Sequence, residues 1–402
     1  MKKNVLIWDK NIPLKNIGGP SGYLYNINQY IEEHNIIEID FYSHKQITTQ
    51  KSLHNVEKKV NLLNRIINKL FKTWIKLYRL YFDTLTLSRD DINLIKNYDY
   101  IHIHSIHDMR KFFLLSNRNE LKAKLILTSH CPEPFIDEVL YGSTVGVLFK
   151  YLPILRDFFI KKEIEAFAKA DYIMFPVKEA IDVYINRSFL YKKYFECNEK
   201  KIFYTPTSIM PLSNSENEFV LDKYKIPKNH LRVCFIGRHN KVKGYDKLVE
   251  LSHTIWRVNP NITFVVGGQK VTDGFPKDDR WIEMGWVNTP NLLNEVDVFI
   301  LPNEQTYFDL ILLEVLRAGV PVLISNTGGN KWFKDKSKGI YLYDYNNINE
   351  AQNILSLFYN LKQADSLRLL GDKNKEFYEK ELNVSKYVDI YLSNIQHLSE
   401  CE

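Results

Sequence analysis

Short runs of consecutive apolar residues, each followed by a longer stretch with helical spacing, recur along this chain and set its fold class. Val5-Leu6-Ile7-Trp8 and residues 36–42, 100–104, 125–128 and 172–175 form one series. Residues 233–237, 263–266, 298–301 and 322–324 form a second. An unbroken apolar run is what a strand shows when both of its faces are covered, and strands alternating with helices imply a parallel sheet between helical layers. Two such series in 402 residues exceed what one core holds. The expectation is two doubly wound α/β domains in succession. The polar stretch 211–218 reads as their linker, and residues 377–395 read as a helical tail.

The composition supports a globular protein: 45% of residues are hydrophobic and 13% aromatic, which excludes a disordered chain. The formal net charge of +6 suits an anionic ligand or membrane surface, or simply a solvated basic exterior. Cys131, Cys197, Cys234 and Cys401 are scattered, with neither disulfide-framework nor metal-ligand spacing, and point to a reducing compartment. Only four apolar residues precede Asp9, too few for a signal-peptide core. No uncharged apolar stretch approaches the roughly 20 residues that span a bilayer. These features together predict a cytoplasmic protein.

One insertion, residues 51–97, stands apart. Its first part carries Lys51, Lys58, Lys59, Arg65, Lys69, Lys72, Lys76 and Arg79, interleaved with apolar residues including Phe71 and Trp74 at spacings of three and four. A basic amphipathic helix of this kind suits the anionic face of a membrane, with the protein held there peripherally; a core-facing helix with a solvated basic side has the same pattern. Residues 145–162 are a second apolar and basic stretch.

The candidate chemistry lies past the strand ends. After the strand ending at Gly237 comes Arg238-His239-Asn240-Lys241-Val242-Lys243-Gly244. Cations just past a strand sit at the carboxyl edge of the sheet, where open α/β folds bind ligands. Arg238 offers a planar fork to phosphate oxygens and Lys243 a point charge. A second segment runs Pro302-Asn303-Glu304-Gln305-Thr306-Tyr307-Phe308-Asp309-Leu310 and on through Glu314 to Ala318-Gly319-Val320-Pro321-Val322, followed by Gly328-Gly329. A loop opening a helix near Tyr307 would offer free N–H groups and a helix dipole to an anion, and Glu314 lies two turns along. Thr306 with Asp309 three residues on also reads as a capping box, which needs no ligand.

These segments, in this order and spacing, resemble retaining glycosyltransferases of the GT-B fold, specifically family four, over nearly the whole chain. Gly237, Arg238, Lys243, Gly244, Pro302, Phe308, Leu310, Glu314, Ala318, Gly319, Pro321, Val322, Gly328 and Gly329 fall on the family pattern. In the first half, Gly18-Gly19-Pro20-Ser21-Gly22 resembles the glycine loop that approaches the donor diphosphate, and Thr128-Ser129-His130 the element whose histidine faces the reacting sugar. His102 and His104 match a family run and read as strand-end packing residues.

The resemblance implies two Rossmann-like domains facing a central cleft: an N-terminal acceptor domain over 1–210, a donor domain over 211–376, and a C-terminal helix over 377–402 that crosses back. It implies transfer of a sugar from a nucleotide-sugar, a UDP-sugar by expectation, to a glycan, lipid-linked or protein acceptor, in the making of cell-surface glycans. Arg238, Lys243 and the helix N-terminus at Phe308 to Leu310 would stabilise the leaving diphosphate, with no metal or cofactor. His130 would bind the donor sugar, and Glu314 the ribose. The segment Gly285-Trp286-Val287 would bracket the base, and Gly19, Gly22, Gly237, Thr306 and Asp309 would complete the donor site.

Three departures from the family pattern bear on this. The first acid of the family's pair is replaced by Thr306, with Glu304 two residues earlier as the candidate substitute. Asp309 stands in place of a glycine beside the diphosphate. Thr207-Ser208 replaces the family's Asn-Gly. Two further readings therefore stay open: a non-catalytic partner subunit on the same fold, and a nucleotide-sugar epimerase. Nucleic-acid binding lacks any matching module.

Overall fold

The computed structural model describes residues 4–10, 12–15, 19–45, 87–113, 121–140, 153–210, 220–269 and 274–400. The insertion through residue 86, residues 145–152 of the second basic stretch, Gly18 and the linker at 211–218 lie outside the described residues. No described helix is long and apolar enough to cross a membrane.

Two parallel six-stranded sheets form the frame. The first, in the order β2-β1-β3-β4-β5-β6, comprises β1 (Val5–Trp8), β2 (Ile39–Phe41), β3 (Tyr100–Ile103), β4 (Lys124–Leu127), β5 (Tyr172–Phe175) and β6 (Ile202–Tyr204). The second, in the order β12-β11-β10-β7-β8-β9, comprises β7 (Leu231–Ile236), β8 (Ile262–Gly267), β9 (Trp281–Gly285), β10 (Val298–Leu301), β11 (Val322–Ser325) and β12 (Ile340–Tyr343). Central strands are buried along their length, as every residue of β1, β3, β8, β10 and β11 shows. Burial on both faces is why these segments are continuous apolar runs.

Each chain-order reversal opens a crevice. In the first sheet it lies between β1 and β3; in the second, between β7 and β10. Such a crevice, at the carboxyl ends of the strands, is where an open α/β sheet takes its ligand.

The tail is two helices, Leu367–Glu381 and Val384–Glu400, where one was expected. Asn383 interrupts them, its Oδ1 accepting the Lys386 N–H at 2.9 Å, a start signal embedded in an otherwise helical pattern. Val384, Tyr387, Val388, Tyr391 and Ile395 form one buried stripe at helical spacing. That stripe joins the apolar cluster containing Tyr23, Leu24 and Ile27 of the helix Pro20–His34. Tyr391 Oη lies 2.9 Å from His102 Nδ1, and Asn394 Nδ2 donates to Tyr204 O at 2.9 Å. The C-terminal helix therefore crosses back onto the first sheet's domain. Across the cleft, Lys331 Nζ pairs with Asp182 at 2.7 Å.

Candidate active site

Three loops converge at the β7/β10 crevice, and glycines set how closely. Gly244 has φ 66°, and a Cβ there would lie 1.6 Å from Pro302 O. Gly328 has φ 45°, with Thr306 O 2.1 Å from where its Cβ would stand. Only glycine combines that backbone with that approach. Hydrogen bonds complete the clamp: Glu304 N donates to Val242 O at 3.0 Å and Gly329 N to Thr306 O at 3.1 Å. Ser325 Oγ and Thr327 Oγ1 donate to Asn303 O at 2.7 and 3.0 Å.

Within this frame Lys243 Nζ donates to Asp309 Oδ1 at 2.6 Å, and Asn303 Nδ2 to Asp309 Oδ2 at 2.6 Å. The helix Leu310–Arg317 starts at Leu310, with Asp309 as its N-cap residue, rather than near Tyr307. The expected Thr306–Asp309 capping box does not form. The Asp309 carboxylate makes no capping bond; the Lys243 ammonium and the Asn303 amide hold its two oxygens instead. Thr306 Oγ1 is left buried without a hydrogen-bond partner.

Arg238 is exposed beside this loop. Glu304 stands between two cations, Oε1 at 3.6 Å from Lys241 Nζ and Oε2 at 3.9 Å from Arg187 Nη2. Glu314 is partly buried; desolvation raises its carboxyl, and the neighbouring Arg317 opposes the rise. Phe308 is buried in the core, and Leu310 packs against it. Gly285 has φ 72°, Val287 packs against Gly267, and the Trp286 side chain is 86% exposed.

On the facing domain the glycine loop is shorter than expected. Gly19 is the N-cap residue at φ 75°, while Ser21 and Gly22 are already inside the helix Pro20–His34. The φ of 75° at Gly19 is a left-handed backbone angle that itself favours glycine.

His130 follows β4, and its ring lies 6.4 Å from that of Tyr307 across the cleft and 4.9 Å from Tyr23. Its Nε2 is 2.9 Å from His104 Nδ1, and the two rings stack at 17°. His104 therefore packs at the strand end, as expected, and also touches His130 of the candidate site. His102 fits the packing description: it is wholly buried, and both its nitrogens are engaged, with Tyr391 Oη and with Thr128 Oγ1. Burial pushes His102 and His130 down to about 3, and His104 well below the ordinary value, so all three rings are neutral.

Tyr307, Tyr23, Asn303 and Arg187 are contributors that sequence reasoning missed. Arg187 Nη2 lies 3.8 Å from Glu133 as well as 3.9 Å from Glu304, joining the two domains. Asn303 and Tyr307 both stand in the strand-end segment that the sequence singles out, whereas no motif there marks Tyr23 or Arg187.

Residues 230–360 match the family described as Glycosyl transferases group 1. The chain is similar to an uncharacterized 41.2 kDa protein in the cps region of Klebsiella pneumoniae, 26% identical over 316 residues, 74% of this chain and 79% of that protein. It is similar to the UDP-Gal:alpha-D-GlcNAc-diphosphoundecaprenol alpha-1,3-galactosyltransferase of Escherichia coli, 34% identical over 77 residues, 19% of this chain and 20% of that enzyme. Anabaena Alr3699/HepE, solved in complex with UDP-glucose, has a TM-score of 0.59 at 13% identity, covering 99% of this chain and 100% of that one. S. aureus TarM, solved with UDP among its ligands, has a TM-score of 0.51 at 17% identity over 75% of this chain. The chain spans 56% of the TarM length. At these identities the structural likenesses establish the two-domain GT-B fold.

Proposed function

We propose that this chain, whose residues 230–360 match the glycosyl transferases group 1 family, is a retaining glycosyltransferase acting on a UDP-sugar. The observation that carries the reading is the placement of Lys243 and the start of the helix Leu310–Arg317 together at the β7/β10 crevice, with His130 on the facing domain. Departure of the nucleoside diphosphate leaves negative charge on its terminal phosphate. Lys243, Arg238 and the first-turn N–H groups of that helix stabilise the charge, without a metal ion. The acceptor hydroxyl attacks from the face the leaving group vacates. His130 contacts the donor sugar, Glu314 the ribose hydroxyls, and the backbone around Val287 the base.

The acceptor is a growing glycan, in its lipid-linked form. Support comes from the cps-region relative and from the E. coli relative, whose name specifies a diphosphoundecaprenol-linked acceptor. The basic stretch ahead of residue 86 would bring the enzyme to the anionic membrane face that holds such acceptors. Sedimentation with vesicles, with and without anionic lipid, tests that contact.

The test of function is transfer by the purified chain across a panel of UDP-sugars and polyprenyl-diphosphate-linked sugar acceptors, with and without EDTA. Transfer unaffected by EDTA is expected. A second reading, a non-catalytic partner subunit, is favoured by Thr306 at the position of the family's first acid. Absence of transfer and of donor hydrolysis in the isolated chain, with turnover restored by a partner, would establish it.

A further inference from the structure

We propose that His104 is a positioning residue that fixes the tautomer of His130, so that His130 presents an Nδ1–H to its ligand. The proposal rests on the reading of His130 as a sugar-binding residue.

The hydrogen positions follow from the partners. The 2.9 Å contact between His104 Nδ1 and His130 Nε2 requires one hydrogen, carried by one of the two nitrogens. His104 Nε2 is buried and has no hydrogen-bond partner among the described residues. An orphaned buried N–H is rarer in proteins than an unpaired acceptor, so the single hydrogen of neutral His104 belongs on Nδ1. His104 then donates and His130 Nε2 accepts. A neutral ring has one hydrogen, which on His130 is left at Nδ1, the nitrogen that His104 does not occupy.

The neighbouring ring cannot reverse this. Thr128 Oγ1 donates to Met174 O at 3.2 Å, so toward His102 it accepts, which places the hydrogen of His102 on Nε2. His102 Nδ1 in turn accepts from Tyr391 Oη at 2.9 Å. Both His102 nitrogens are thus used, and its ring serves His104 only as a packing surface, with centroids 4.1 Å apart. Desolvation keeps all three rings neutral, so the pattern is not erased by protonation near neutral pH.

The experiment is ring-nitrogen NMR on the full chain labelled with 15N-histidine, together with kcat and donor KM. The variants are His104→Asn, His104→Asp and His104→Leu. In the wild type His130 is expected with its hydrogen on Nδ1 and His102 with its hydrogen on Nε2. The carboxylate introduced by His104→Asp only accepts, so it should move the His130 hydrogen to Nε2 and cut kcat by about tenfold or more, with a small change in KM. His104→Asn, whose amide can donate from the same place, should recover most of the turnover lost in His104→Leu. An Nε2-protonated His130 in the wild type overturns the proposal, as does an unchanged His130 tautomer in a folded His104→Asp chain. Wild-type turnover in His130→Ala would instead remove His130 from the reaction, a failure of the underlying reading that the NMR result does not share.

Discussion

Lys243 and Asp309 are joined by a 2.6 Å ion pair in which each side chain is 14% exposed. The ammonium assigned to the leaving diphosphate is thus already matched to a carboxylate of the same domain. Asn303 steadies the other carboxylate oxygen. A donor diphosphate must share or displace that partner, and the carboxylate repels it. Asp309→Asn should therefore tighten donor binding. Releasing a pair worth ~1 kcal/mol corresponds to a donor KM lower by about fivefold. Steady-state kinetics checks this, and a raised KM would mean that Asp309 aims Lys243 rather than competing for it.

Gly244 bears on stability and on the site at once. A methyl group there would stand 1.6 Å from Pro302 O on a backbone at φ 66°. Gly244→Ala should cost about 2 kcal/mol or more in urea unfolding and lower turnover by moving Lys243. An unchanged midpoint would show that the loops are not packed as described.

The three histidines predict an acid-sensitive fold. His102 and His130 sit near 3 against an ordinary 6.5, and His104 also lies well below, because burial disfavours their charged forms. As pH falls the unfolded chain takes up protons first. Their stabilisation is whole above about pH 6.5 and is lost progressively as pH falls below it, toward pH 3 for His102 and His130, at ~1.4 kcal/mol per pH unit for each ring. Unfolding free energies at pH 7.5, 6.5 and 5.5 test the slope, which should flatten in His102→Asn. Equal slopes in the two proteins would contradict it.

The legibility of the fold followed burial. The strands expected from apolar runs include every interior strand of both sheets. The three that went unread, β6, β9 and β12, all lie at sheet edges. Glu283 interrupts the apolar run of β9, whereas β6 (Ile202–Tyr204) and β12 (Ile340–Tyr343) are short apolar runs, only partly buried, that the sequence reading passed over. In the site, Lys243 could be placed because its loop follows an interior strand. The Asp309 contact could not, because it joins residues 66 apart whose meeting depends on how closely Gly244 lets two loops approach. His104 was visible as half of a His-x-His pattern. Alternation along a strand puts both histidines on one face, but it does not say which of them reaches the ring past β4.

The account depends most on a diphosphate being held by Lys243 and Arg238. Isothermal titration of UDP into the wild type, Lys243→Ala and the Arg238→Ala/Lys243→Ala double variant tests that claim directly. Binding in the wild type, weakened by about tenfold or more in Lys243→Ala and further in the double variant, is the predicted result. Absence of UDP binding to the folded wild type at millimolar concentration, or equal affinity in all three proteins, would contradict it.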